Sequence, residues 1–171
     1  MAHPAKNADP ANIKAKSRTF FVTSRTCNGR SILQSERMAG LLIDVLKSYA
    51  TTGHFRLHEF VIMRDHIHLL LTVEDDKTVE KAVQLIKGNF SYRAKRELHY
   101  PGDIWQRGFS EVRIYDRESF LASKSYIHNN PVKAGYAATP QEYRYSSAYL
   151  RAAAAKAGSI SAKDGPAEAV P

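Results

Sequence analysis

The stretch His54-Phe-Arg-Leu-His-Glu-Phe-Val-Ile-Met-Arg-Asp-His-Ile-His-Leu-Leu-Leu-Thr-Val73 decides the fold. It holds two β-rich runs, residues 54–63 and 66–73, separated only by Arg64-Asp65, and this spacing predicts a tight antiparallel hairpin. Strand side chains alternate between faces, so Ile67, Leu69 and Leu71 point one way and His66 and His68 the other. Three aliphatic residues suit a core beneath helices. Two imidazoles about 7 Å apart at Cα, from a strand rise of roughly 3.3 Å per residue, can converge on one cation from the opposite, exposed face. In a two-residue hairpin register Glu59 shares the histidine face and could orient a ligand, whereas His58 falls on the Leu71 face.

Working outward, residues 17–26 are β-branched and aromatic around Arg18-Thr-Phe-Phe-Val-Thr, a first strand. Met38, Leu41, Leu42, Val45, Leu46 and Tyr49 recur at three and four, a helix with one apolar stripe that Gly53 stops. Val79, Ala82, Val83, Ile86, Phe90 and Ala94 mark a second amphipathic helix, and a Pro101-Gly102 turn leads to a fourth strand over about 109–115. Asp116 can cap a third helix running to about Asn130, where Pro131 is expected to prevent its continuation. The order β-α-β-β-α-β-α predicts an α+β, ferredoxin-like split βαβ fold. Its four-stranded antiparallel sheet carries helices on one face, and a C-terminal helix follows. Many functions use that fold, so function has to come from the site.

With 171 residues, the chain suits one domain with tails. Its 43% hydrophobic content excludes wholesale disorder. A mean hydropathy of −0.41, with no apolar run near the roughly 20 residues that span a bilayer, excludes a membrane-embedded chain. The absence of an apolar leader at the N-terminus, together with the single cysteine, Cys27, points to the cytoplasm and excludes a disulfide framework or a multi-cysteine zinc site. The 25 Lys and Arg against 17 Asp and Glu give a formal net charge of +8 and make nucleic acid the first candidate partner. Residues 1–16 read as a flexible basic arm and 17–150 as the domain. Residues 151–171 read as an Ala-rich, disordered tail, although its first half can prolong a helix; the remainder has nothing to anchor it.

The third helix contains Ser125-Tyr-Ile-His-Asn-Asn-Pro131, in which Tyr126 and Asn130, four apart, share a face while His128 turns away from them. A tyrosine can serve as a covalent nucleophile, and an amide oxygen can complete a metal's coordination. Together with the histidine pair, these residues resemble the REP-associated tyrosine transposases, which belong to the HUH single-strand endonucleases with one nucleophilic tyrosine. The resemblance rests on Met63-Arg-Asp-His-Ile-His-Leu-Leu-Leu71, Leu85-Ile-Lys-Gly-Asn-Phe-Ser91, Ile104-Trp-Gln-Arg-Gly-Phe109, Tyr126-Ile-His-Asn-Asn-Pro-Val-Lys-Ala-Gly135 and Tyr143-Arg-Tyr-Ser-Ser147. It covers roughly residues 17–150. Two departures are visible. Arg64-Asp65 stands where the family usually has Pro-Asn, and Ser110-Glu-Val-Arg-Ile-Tyr115 lacks the Asp and the Ile-Arg ending common there.

The resemblance implies His66, His68 and Asn130 as ligands of a divalent cation, Mg²⁺ or Mn²⁺, and Tyr126 as the nucleophile that forms a 5′-phosphotyrosine. It implies as partner a single-stranded DNA hairpin of the repetitive extragenic palindrome type. It also implies a monomer with its site assembled within one chain, working in the cytoplasm at the nucleoid. Cations suited to phosphates are Lys87, Arg93, Lys95 and Arg96 on the second helix, Arg107 beside Trp105, and Lys133 and Arg144 around the third helix. The competing readings are a non-catalytic nucleic-acid-binding module, a metal-dependent hydrolase with a structural Tyr126, and a relaxase-like nickase, against which the short chain counts.

Overall fold

The computed structural model describes residues 16–161. Strands β1 (Ser17–Arg25), β2 (Arg56–Ile62), β3 (His66–Glu74) and β4 (Ser110–Ile114) form one antiparallel sheet in the order β2-β3-β1-β4. Helices α1 (Glu36–Thr51) and α2 (Val79–Glu97) cover one face, and α3 (Arg117–Lys133) and α4 (Ser147–Ser161) follow β4. This is the expected α+β, ferredoxin-like arrangement. No described helix is long and apolar enough to cross a membrane.

The main core lies between α1, α2 and the sheet. Met38, Ala39, Leu41, Leu42, Val45 and Leu46 of α1 and Val79, Ala82, Val83, Ile86, Phe90 and Ala94 of α2 pack on Phe20 and Val22 of β1 and Ile67, Leu69, Leu71 and Val73 of β3. Helices α1, α2 and α3 each begin on a side-chain oxygen that accepts an otherwise unpaired N–H: Ser35 from Met38, Thr78 from Lys81 and Asp116 from Ser119.

Three sequence expectations need correction. The histidine face of the sheet is not exposed. A second, smaller core of Val61, Met63, Leu70, Ile114 and Ile127 lies there under α3, so β3 is buried on both sides. The β2–β3 register keeps Ile62 opposite Ile67 and Glu59 opposite Leu70, but a bulge between Leu57 and Glu59 frees His58 from the Leu71 face. His58 Nε2 instead bonds Thr72 Oγ1 at 2.7 Å, and its ring meets Phe120 of α3.

The third correction concerns the end of α3. Pro131 lies inside the helix, which continues to Lys133. The stop is Gly135, at φ +75°, with Tyr136 N–H donating to Pro131 O (2.8 Å) and Gly135 N–H to Val132 O (3.0 Å). That bonding satisfies the last carbonyls in a Schellman turn and needs the left-handed conformation that glycine adopts without strain. A proline in the final turn deprives only one carbonyl of its donor, too little to end a helix whose terminus is otherwise closed.

Residues 143–147 run along the free edge of β2. Ile62 N–H donates to Tyr145 O, Tyr143 Oη donates to Ile62 O, and Val61 bridges Ser146. From there α4 carries the Ala-rich segment as helix through 161, beyond the boundary expected at 150. The expected basic arm, apart from Lys16, and residues 162–171 lie outside the described residues.

Candidate active site

His66 and His68 sit at the start of β3, where pairing with β1 sets Arg25 opposite His66 and Thr23 opposite His68. Each imidazole has one nitrogen engaged. His66 Nδ1 lies 2.7 Å from Asp65 Oδ1, and His68 Nδ1 lies 2.8 Å from Thr23 Oγ1. With the proton on Nδ1, both Nε2 lone pairs are left available, the arrangement that orients metal-binding histidines in general. The sequence assigned this orienting role to Glu59. In the structure the Nδ1 partners are Asp65 and Thr23, while Glu59 bonds to α3 and α4.

The rings form a compact cluster. His66 and His68 have centroids 4.8 Å apart, Phe21 stacks on His68 at 5.3 Å, and Tyr126 meets His68 edge-on at 5.3 Å and Phe21 at 5.7 Å. His68 is only 4% exposed. Burial, reinforced by the neighbouring His66 and by the Arg25 charge, lowers its pKa to about 3, so it is neutral and able to offer a lone pair at physiological pH. Tyr126 is 46% exposed, which leaves its side chain accessible from solvent.

Helix α3 places these groups through its narrow buried face. Ile127 lies in the smaller core with Phe120 packed against it, and Pro131 is buried one turn further on. Tyr126 flanks Ile127 on the side of β3, with Asn130 one turn further on and half-buried. Lys133 Nζ hangs 5.9 Å from the Tyr126 ring centroid. The structure thus brings His66, His68, Tyr126 and Lys133 together, with Asn130 on the adjoining turn.

The other expected phosphate contacts divide. Lys87 Nζ donates to Gln106 O (2.8 Å) and Gly108 O (2.7 Å), tying down the segment that leads into β4, and burial lowers its pKa. Arg93 is held by Glu97 and Asp44, Arg96 by the Tyr92 hydroxyl, and Arg144 by Glu36. Arg93, Lys95 and Arg96 ride on α2, so the sheet separates them from Tyr126. Arg107 is exposed and lines an open basin of about 780 Å³ with Cys27, Asn28, Trp105 and Gln106. That basin adjoins the histidine end of the sheet, because Gln106 N–H donates to Arg25 O and Thr26 N–H to Asp65 O. Sequence reasoning missed Arg25, which strand alternation from Thr23 places on the histidine face and whose charge His68 feels.

Residues 16–130 match the family profile described as "Transposase IS200 like". A proposed REP-associated tyrosine transposase of Haemophilus influenzae is 28% identical over 134 residues, covering 68% of this chain and 76% of that one. A REP-associated tyrosine transposase of Escherichia coli is 26% identical over 132 residues, covering 77% and 76%. Among solved structures, a REP-associated tyrosine transposase bound to a REP hairpin superposes with a TM-score of 0.70 at 24% identity, covering 81% of each chain, a likeness of fold.

Proposed function

The chain belongs to the IS200-like transposase family, and from that premise we propose that it cleaves single-stranded DNA at palindromic hairpins through a covalent bond to Tyr126. The observation that carries this reading is the approach of the exposed Tyr126 ring to within 5.3 Å of His68, beside an imidazole pair whose Nδ1 atoms are both engaged.

In this reading Tyr126 Oη attacks a phosphodiester phosphorus. The new O–P bond replaces the bond to the 3′-oxygen, which leaves with a proton as a free hydroxyl, and the 5′-phosphate stays on the tyrosine. One phosphoester is exchanged for another, so strand rejoining needs no nucleotide triphosphate, and none of the Gly-rich phosphate-cradling motifs is present in the sequence. A free phenol with a pKa near 10 is ionised about once in a thousand at neutral pH, so the site has to favour the phenolate. Lys133 Nζ, 5.9 Å from the Tyr126 ring centroid, places a positive charge where the attacked phosphate would sit.

The donor set fits a divalent cation, Mg²⁺ or Mn²⁺. The Nε2 atoms of His66 and His68 and the Asn130 carboxamide would hold it, supplying one neutral oxygen besides two nitrogens. Among the described residues no group of three His, Cys, Asp or Glu competes as an alternative site. Such a cation supplies polarisation of a non-bridging phosphate oxygen. Arg25, Arg107 and Lys133, grouped around the histidine end of the sheet, are the phosphate contacts this reading favours, and the hairpin is the partner that family membership and the hairpin-bound structural neighbour support.

The test is incubation of the chain with single-stranded palindromes and a divalent metal, read on denaturing gels. A protein–DNA adduct is expected from the unaltered chain and none from Tyr126→Phe, with hairpin binding kept. A free 5′-phosphate without adduct would instead identify a hydrolase, and binding without cleavage a recognition module.

A further inference from the structure

Helix α3 fully buries only Ile127 and Pro131, and Phe120 packs part-buried against the smaller core, so apolar contact constrains its rotation and its slide along the sheet only loosely. A carboxylate on β2 supplies the missing constraint. Glu59 is 2% exposed, yet it is surrounded by donors from two helices. From α3, His128 Nε2 donates to Oε2 at 2.8 Å and Lys124 Nζ lies 3.2 Å from Oε1. From α4, Ser147 Oγ donates to Oε2 at 2.6 Å and Arg151 Nη2 closes on the same oxygen. Ser147 also accepts the Phe60 N–H at 3.1 Å, which locks the first turn of α4 to β2.

The geometry follows from the helical repeat. Lys124 and His128 are four apart on one side of α3 and Tyr126 projects from the other, with Ile127 between. Any rotation that carried Tyr126 away from His68 would have to drag both donors off a buried carboxylate. Buried charge without partners is costly, so the clamp resists that motion more steeply than the apolar contacts of Phe120, Ile127 and Pro131 do.

We propose that Glu59 is a positioning residue: through Lys124 and His128 it fixes the rotation and register of α3 that hold the Tyr126 ring against the His68 and Phe21 rings. Tyr143-Arg-Tyr-Ser-Ser147, whose place in the chemistry the sequence leaves open, completes the device by delivering Ser147 to the same carboxylate along the β2 edge. This inference rests on the reading of Tyr126 as nucleophile for its catalytic consequence, but its geometric content is separate.

The experiment uses the full chain and a Glu59→Gln variant. It reads adduct formation at saturating hairpin oligonucleotide, hairpin affinity, melting temperature, and ring–ring nuclear Overhauser effects from Tyr126 to Phe21 and His68. At least a tenfold slower adduct step is expected, since a displacement near 1 Å can cost about a hundredfold in rate. Affinity should stay within twofold, and the Tyr126 ring contacts should weaken. A paired Lys124→Gln, His128→Gln variant leaves Glu59 its Ser147 and Arg151 partners and should reproduce the result if Glu59→Gln folds poorly. Unchanged ring contacts with an adduct rate within twofold would overturn the proposal. So would a loss of rate that merely tracks the loss of folded protein in both variants, which is the signature of a purely stabilising role. If the unaltered chain forms no adduct, the endonuclease reading fails, while the ring contacts still decide whether Glu59 positions Tyr126.

Discussion

Helices α1 and α3 lie against opposite faces of one sheet and are held there by different forces. Helix α1 buries six apolar residues in a dry core, Met38 through Leu46, whereas α3 buries Ile127 and Pro131 and otherwise leans on ions and rings. The first contact is strong and indifferent to small shifts in direction, because apolar attraction has no preferred angle. The second is weaker but directional, as hydrogen bonds and edge-on rings are. A helix that only closes a core can use the first. A helix that presents a nucleophile at a fixed point needs the second.

Substitution breaks this contrast most severely in α1. Leu42→Ala removes a fully buried side chain and should cost about 2–5 kcal/mol by urea unfolding, with adduct formation per folded molecule unchanged. If the rate per folded molecule fell as well, the division between the two helices would be wrong.

Acid acts on the other face. Burial raises the Glu59 pKa, but bonds from His128, Ser147 and Arg151 and the Arg151 charge outweigh it and hold it at about 2, against an ordinary 4.5. The unfolded chain therefore takes up this proton first. The stabilisation is complete above pH 4.5 and is lost as pH falls through about 2, and at 1.36 kcal/mol per unit it amounts to at most about 3 kcal/mol. Glu59→Gln should flatten that acid limb in thermal melts between pH 5 and 2, compared at equal ionic strength. An acid limb as steep as that of the unaltered chain would show that the carboxylate is not so engaged.

Ser147→Ala strips the buried carboxylate of one donor and leaves Phe60 N–H without its acceptor, for a loss of about 1–3 kcal/mol. Calorimetry should find it smaller than Leu42→Ala yet more damaging to adduct formation per folded molecule. Gly135→Ala is the mildest change. Nothing crowds the added methyl, so only the strain of a left-handed alanine at φ +75°, roughly 1–2 kcal/mol, should appear in the melt. A cost below the measurement error would mean that the helix end relaxes into another turn.

The same division explains what could be read from the sequence. Helices α1 and α2 announce themselves because Leu42, Val45 and Leu46, or Val83, Ile86 and Phe90, repeat with the helical period, and the Arg64-Asp65 hairpin is set by length alone. Strand alternation placed His66 and His68 on one face, and helical spacing placed Tyr126 beside Asn130. The clamp was invisible for a physical reason. A helical wheel says that His128 turns away from Tyr126, but not that β2 brings Glu59 to that side. The bulge that reorients His58 leaves no mark in a local pattern, because it depends on how β2 pairs with β3. Likewise Pro131 looked like a terminator, whereas Gly135 and its two backbone bonds do the terminating.

The most direct test of the site is to trap the adduct with a hairpin oligonucleotide, digest it, and locate the modified residue by mass spectrometry. The chain has nine tyrosines, so the result discriminates. The nucleotide is expected on the peptide containing Tyr126 and nowhere else. A nucleotide on any other tyrosine, or a cleaved strand with every tyrosine unmodified, would contradict the joining of Tyr126 to the His66–His68 pair as a working centre.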